Sequence, residues 1–346
     1  MIKEKDSLVI LSPVDRLEEV DLLIDAGADE LYAGVAPDSW TGELVSPNQR
    51  TFASAQFSSE ARLAESVEAA GARSVPLHLT LNAPTYTPEI YNELTSLAQR
   101  AHSWGVESFI VGDPGLIARL HELDSSLKIT LSTMAGTMNR GWLDYYRTLG
   151  LYRAVFPRHL NLAEMASLVR NGGGLEFEAF VLIGKCPNEE AFCSFQHVSP
   201  TKRWPCEIEY RLCEEGPASS ACSASFVHPV SPVLTDNASA SGALSDIALD
   251  GGASTHSLAL WNRRWSRVER RFGCGLCALD ELKKIGVKVA KLVGRGGPTG
   301  GKVANVKLVR RFLAGGVDRE EARAAYAERF GTRCTPEVCY FPELAG

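Results

Sequence analysis

Asp25-Ala-Gly-Ala-Asp-Glu-Leu-Tyr-Ala-Gly34 is the stretch that decides the fold. Ahead of it, 16–26 carries apolar residues at helical spacing, Gly27 suits a left-handed helix end, and Leu31-Tyr32-Ala33 reads as a short buried strand. The same unit of amphipathic helix, glycine turn and apolar strand recurs along the chain, with a second clear helix at 89–104 and further glycine stops at Gly71, Gly105 and Gly286. Strands are expected at 8–11, 30–35, 74–81, 108–112, 128–133, 153–156, 175–182 and 287–293. Eight such units match an α/β architecture of the TIM type, a (β/α)8 barrel, whose active site lies at the carboxyl ends of its strands. At those ends stand Pro13, Gly34, Asn82, Asp113, Ser132, Arg158, Lys185 with Cys186, and Arg295, a polar set for buried-strand termini.

One connection breaks the rhythm. About 100 residues separate the seventh strand from the eighth, where a few loop residues and one helix would suffice. The chain therefore divides into 1–182 with strands one to seven, 183–286 with a cysteine-rich insertion and the seventh helix, 287–315 with strand and helix eight, and 316–346, an appendix with a helix followed by Cys334 and Cys339. The middle of the insertion, 215–257, is rich in Ala, Ser and Gly without periodicity and reads as an irregular excursion.

With 346 residues, 45% of them hydrophobic, the chain is long enough for a full core. Its 36 basic and 42 acidic residues leave a net charge of -6, which gives no overall electrostatic footprint for nucleic acid or an anionic membrane. The first seven residues are charged and no apolar run approaches the roughly 18 residues of a membrane span, so a cytoplasmic location is expected. In that reducing compartment nine cysteines, an odd number, point to metal binding or catalysis rather than to disulfides.

Cys186 and Cys193 follow the seventh strand; Cys206, Cys213 and Cys222 come next, and Cys274-Gly-Leu-Cys277 precedes the seventh helix. In a barrel, the end of strand seven and the start of helix seven share the catalytic face, so Cys186, Cys193, Cys274 and Cys277 are able to converge. Four thiolates suit either a zinc ion or an iron–sulfur cluster, and some thiols can simply be small buried hydrophobes. Cys206, after the rigid Trp204-Pro205, is preferred to Cys213 as a ligand, whereas Cys222 sits incidentally in a Ser/Ala run.

Gly296 to Lys302 satisfies the Gly-x-x-x-x-Gly-Lys part of a phosphate loop, but Val303 replaces the hydroxyl residue that would hold magnesium, so nucleotide hydrolysis is rejected. An anion site with Arg295 at the following helix N-terminus is one reading of this loop, and a plain glycine turn is the other. Arg158 is a second candidate anchor for a carboxylate or phosphate, with an ion pair to Glu178 as its alternative. Lys185 is assigned to anion binding or to favouring a neighbouring thiolate, against the plainer reading of an exposed lysine. Asn82, Asp113 and Ser132 offer hydrogen bonds at the same rim. In 261–271, tryptophans interleave with Arg263, Arg264, Arg267, Arg270 and Arg271; an amphipathic helix packed on the barrel is preferred to an RNA-binding face. His78, His159 and His197 stand at no catalytic spacing, and neither Gly-x-Ser-x-Gly nor His-Glu-x-x-His occurs.

Leu175-Glu-Phe-Glu-Ala-Phe-Val-Leu-Ile-Gly-Lys-Cys186, with Cys193 seven positions on, resembles the signature strand of the collagenase-like peptidase U32 family. Leu11-Ser-Pro13, the stretch from Ala26 to Gly34, Phe156-Pro-Arg158 and Val289-Ala-Lys-Leu-Val-Gly-Arg295 are similar to its other landmarks, so that the resemblance spans 8–312. It implies four cysteines around a 4Fe-4S cluster and dioxygen-independent hydroxylation of ubiquinone precursors or RNA bases, with prephenate as oxygen source in some members; proteolysis is the older label. It also implies a ligand set of Cys186, Cys193, one of Cys206 and Cys213, and one of Cys274 and Cys277, and tips the choice of cofactor from zinc towards iron–sulfur. The expectation is thus an iron–sulfur hydroxylase whose catalytic residues are Arg158, Asp113 and Asn82. Its substrate would carry a carboxylate or phosphate held by Arg158, Arg295, Ser132 and Lys185, with RNA a less favoured partner. Some similar proteins pair with a related subunit, so a heterodimer or homodimer is expected. The alternatives are a peptidase with structural or zinc-bound thiols, and a non-catalytic RNA- or partner-binding scaffold.

Overall fold

The computed structural model describes residues 8–40, 47–49, 53–186, 189–193 and 272–344. Cys206, Cys213, Cys222, His197 and the whole basic 261–271 run lie outside the described residues. Eight parallel strands close into a barrel in sequence order: β1 Val9–Pro13, β2 Glu30–Ala33, β3 Leu77–Leu81, β4 Ser108–Val111, β5 Ile129–Leu131, β6 Leu151–Val155, β7 Glu176–Leu182 and β8 Val289–Leu292. Val9 pairs with Val289 to shut the ring. The expected (β/α)8 barrel is therefore the observed fold. Among the described residues the helices are α1 Val20–Asp25, α2 Glu60–Ala72, α3 Pro88–Ser103, α4 Pro114–Leu123, α5 Arg140–Arg147, α6 Leu162–Arg170, α7 Leu279–Ile285, α8 Thr299–Phe312 and α9 Arg319–Phe330. None of them is long and apolar enough to cross a membrane.

Local chemistry accounts for most helix starts. Ser59, Asp113, Asn139, Asn161 and Asp318 each accept a backbone N–H from the first turn of α2, α4, α5, α6 and α9, and Asn161 with Glu164 completes a capping box. One expected stop differs: Gly71 lies inside α2, and the chain turns instead at Ser74, which takes a φ of 57°.

The strands bury both faces in different ways. Their outer residues, such as Ile10, Leu31, Leu79 and Phe177, pack beneath the helices in the main core. The inner face holds only a small apolar layer, formed by Leu11, Tyr32, Ile110 and Val289. Below it, towards the amino ends of the strands, the alternate positions carry Glu30, His78, Ser108, Thr130, Arg153 and Glu178. The appendix is tied to the barrel: Cys274 bridges Leu182 on one side and Cys339 on the other, Tyr326 and Phe341 are buried, and the Tyr326 hydroxyl donates to Phe272 O at 2.6 Å.

Candidate active site and thiol groups

The barrel floor is a closed ionic network. Arg153 on β6 donates to Glu30 across the barrel at 2.6 and 2.9 Å and to Glu176 at 2.8 and 3.1 Å, while Lys291 donates to Glu178 at 2.5 Å. Burial alone would raise the Glu30 pKa, but hydrogen bonds and charge from His78 and Arg153 outweigh it and hold the carboxyl well below its ordinary range. Burial lowers the Lys291 pKa despite Glu178. His78, expected to lack catalytic partners, lies 2.8 Å from Ser108 Oγ and 3.1 Å from Glu30. That Ser–His–Glu order resembles a hydrolase relay, yet Ser108 is 0% and His78 1% exposed, so no peptide reaches the hydroxyl. The signal in the sequence was charge at alternate strand positions: Glu30, Arg153, Glu176, Glu178 and Lys291 all interrupt apolar runs.

At the opposite, carboxyl end, several expected site residues are occupied by the fold. Asp113 Oδ1 accepts the Leu116 amide at 2.7 Å and the Tyr91 hydroxyl at 2.8 Å, so it works as the cap of α4 rather than as a free catalytic carboxylate. Asn82 accepts from the Gln49 amide at 3.2 Å and donates to Ser132 Oγ at 3.3 Å, linking two rim loops. Arg295 is buried and donates to Thr80 Oγ1 at 2.8 Å and Asn48 Oδ1 at 2.9 Å. A side chain at Gly34 would place its Cβ 2.1 Å from the Arg295 guanidinium, so the glycine there makes room for the arginine.

The glycine loop before α8 is filled by the protein itself. Gly296 N donates to Asp15 Oδ2 at 2.5 Å, and Lys302 pairs with Asp15 and, at 2.7 Å, with Glu19. Two native carboxylates thus occupy the place an external anion would take, which corrects the anion-site reading of this loop. The spacing of Lys302 from Asp15, 287 residues, hid this pairing from any local pattern.

The end of β7 is the distinctive part of the rim. Ile183, a β-branched residue, is held at a φ of 64° by its amide bonded to Gly273 O at 2.7 Å and its carbonyl accepting the Tyr340 hydroxyl at 2.7 Å. Such a conformation costs on the order of 1–3 kcal/mol and persists only where the surroundings enforce it. It redirects the chain into Lys185 and Cys186. Lys185 is neither exposed nor turned to the barrel mouth: its ammonium donates to Cys339 O.

Arg158 pairs with Glu190, not with Glu178 as its alternative reading had it, and its guanidinium lies 3.6 Å from the centre of the Phe180 ring. Glu178 is instead taken by Lys291. His159 pairs with Glu189, so an arginine and a histidine beyond β6 grip the two glutamates ahead of Cys193. Close approach to the loop after β5 needs Gly136, where a Cβ would stand 2.6 Å from that of Ala191. Cys193 is thereby placed in the wall of a cleft of about 460 Å³, together with Thr85, Gly112, Met134, Trp142, Tyr146 and Phe192. Phe192 is 71% exposed. Neither aromatic was singled out from sequence, because Trp142 and Phe192 come from segments 50 residues apart.

Four of the six described thiols share one pocket. Cys274, Cys277, Cys334 and Cys339 line one small pocket between the start of α7 and the appendix. Cys193 belongs to the cleft, and Cys186 lies within electrostatic reach of Tyr340 without lining the four-thiol pocket. Cys274 and Cys277 thus stand with Cys334 and Cys339, which the appendix brings up through the Cys274–Cys339 bridge, a grouping that the sequence did not suggest. A hydrogen bond to Cys274 pushes the Cys334 thiol up to about 11, and a bond with Cys334 plus burial pushes Cys339 higher. All six described cysteines are free thiols, and among the described residues no group of three or more His, Cys, Asp or Glu is already spaced as a metal site.

Comparison with known proteins adds three findings. The tRNA hydroxylation protein P of Escherichia coli is 24% identical over 236 residues, 66% of this chain and 49% of that protein. Its namesakes in Haemophilus influenzae and Helicobacter pylori strain J99 are 24% and 25% identical over 60% and 51% of this chain, and over 44% and 39% of their own lengths. The chain thus spans less than half the length of these curated relatives. Among solved structures, the U32 peptidase Mk0906 superposes with a TM-score of 0.42 at 15% identity, covering 53% of this chain and 72% of that one. The family model described as peptidase family U32 matches residues 15–333, and the chain belongs to that family.

Proposed function

We propose that the protein is a redox enzyme that hydroxylates a nucleobase of RNA in the cleft beside Cys193, with an iron–sulfur cluster held in part by Cys186 and Cys193. The observation that carries this reading is a thiol in the wall of an aromatic cleft at the strand-end rim. Phe192 and Trp142 offer the π-faces on which an unpaired base stacks, and RNA recognition relies on such faces. Family membership and relatives named for tRNA hydroxylation support the reaction type. The sealed Ser108 and His78 weigh against the peptidase alternative.

Cys186 and Cys193 are the described thiols that would hold the cluster. Cys186 and Cys193 are partly exposed, and the left-handed Ile183 turns the first of them out of the strand direction. A bound cluster would supply one-electron transfer. Arg158 would anchor the carboxylate of an oxygen-donating co-substrate of the prephenate kind, by exchange with Glu190, since a guanidinium binds either carboxylate with the same geometry. Phe192 and Trp142 would hold the base, and Tyr146, whose hydroxyl donates to Ala135 O at 3.2 Å, would fix the cleft wall.

The test is anaerobic purification with iron and sulfide analysis, followed by mass spectrometry of nucleosides from tRNA of cells with and without the chain. A nucleoside one oxygen atom heavier, present only with the intact chain and lost in Cys193→Ser, is expected. An iron-free protein together with an unchanged nucleoside profile would overturn the reading.

A further inference from the structure

The four thiols of the appendix pocket are a separate feature from Cys186 and Cys193. Cys274 and Cys277 form one turn and Cys334 and Cys339 another, two knuckles of Cys-x-x-Cys and Cys-x4-Cys spacing. Backbone pairing locks them face to face: Cys274 N donates to Val338 O at 2.9 Å, and Tyr340 N donates to Cys274 O at 2.7 Å. All four thiols line the same pocket, and the backbones of Cys274 and Cys339 pair directly. The space they enclose is about 10 Å³, bounded otherwise by Gly275, Leu276, Ala278, Phe341 and Leu344.

We propose that Cys274, Cys277, Cys334 and Cys339 bind a single tetrahedral zinc ion that fastens the C-terminal appendix to the end of β7, as a centre distinct from the one assigned to Cys186 and Cys193. Size selects a lone ion over a cluster. A Zn–S bond of about 2.3 Å sets the four thiolates of a tetrahedral site roughly 3.8 Å apart, which suits a pocket of about 10 Å³, whereas a cuboidal cluster needs a larger cage. Binding releases the four thiol protons to solvent and leaves a net charge of -2 on the zinc–thiolate group, with no electron transferred. Three cations lie within electrostatic reach to balance it: Arg319 and Arg323 beside Cys277, and Lys185 beside Cys339. The ligands come from chain segments more than 50 residues apart, so the ion closes a loop that only backbone pairing and apolar packing otherwise hold.

The full chain, purified anaerobically, is analysed for zinc, iron and sulfide as wild type, as Cys334→Ser/Cys339→Ser and as Cys186→Ser/Cys193→Ser. One zinc per chain is expected in the wild type and in the second variant and none in the first, while replacement by cobalt gives the absorption of a tetrahedral thiolate site. Should Cys334→Ser/Cys339→Ser not fold, a chelator applied to the wild type must release the zinc, expose four additional reactive thiols and open the segment after α9 to protease. A wild type without zinc whose four thiols react at once, a disulfide between Cys334 and Cys339, or iron rather than zinc lost with these residues overturns the proposal. Loss of hydroxylation with zinc intact counts against the proposed function alone.

Discussion

Replacing Arg153 by methionine removes the central cation of the barrel floor while keeping an unbranched stem in its place. The side chain is 2% exposed and serves three carboxylates: Glu30 through two bonds, Glu176 through two, and Glu178 at 3.7 Å. Glu176 is 35% exposed and recovers water when Arg153 goes, so its share is small. Glu30, 13% exposed, is left with His78 at 3.1 Å, and Glu178, fully buried, with Lys291 alone. Removing one partner of a buried pair costs about 3–5 kcal/mol, because the remaining charge is uncompensated. Against a total stability of roughly 5–15 kcal/mol, that brings Arg153→Met close to unfolding at ambient temperature. Urea titration followed by far-ultraviolet circular dichroism at pH 7 measures it as a lower midpoint at unchanged slope. Adding Glu30→Gln neutralises the orphaned carboxylate, and the double variant is expected to recover at least about 1.5 kcal/mol of the loss. A single variant within about 1 kcal/mol of wild type, or a double variant equal to the sum of the two single losses, would refute the argument that charge pairing organises the floor.

Because the folded-state pKa of Glu30 lies below its ordinary value of 4.5, its contribution is fully present above that pH and is lost as pH falls towards the folded value; acid titration should therefore show a shallower loss of stability below about pH 4.5 in Glu30→Gln than in wild type. Lys302→Met, which leaves Asp15 and Glu19 facing each other without their cation, is expected to cost about 3–5 kcal/mol, and phosphate should not protect the wild type against urea because the loop amide is already occupied. Phe192→Ala should change stability by less than about 0.5 kcal/mol, since the ring is exposed, yet weaken binding of single-stranded RNA by about 1–3 kcal/mol, or roughly 5- to 150-fold, in a fluorescence titration.

Short-range pattern carried the architecture. Helix period, glycine turn and apolar strand are properties of windows of about ten residues, and all eight strands could be placed from them within a few positions. The landmark from Asp25 to Gly34 contained both the turn and the glycine that admits Arg295, although only the turn was legible. Charges inside strands were visible too, but their meaning was not: Glu30 and Arg153 are 123 residues apart and meet only because the sheet closes on itself.

The chain by itself thus determined a ring of strands, the face on which chemistry would lie, and a set of thiols near that face. Tertiary structure decided how those thiols are sorted, turning Asp113, Lys185 and Lys302 to structural work and joining Cys274 and Cys277 to Cys334 and Cys339. The physical reason is the range of the forces involved. Backbone preference and hydrophobic period act between near neighbours along the chain, whereas ion pairs and thiol groups act between near neighbours in space, which the folded path alone specifies.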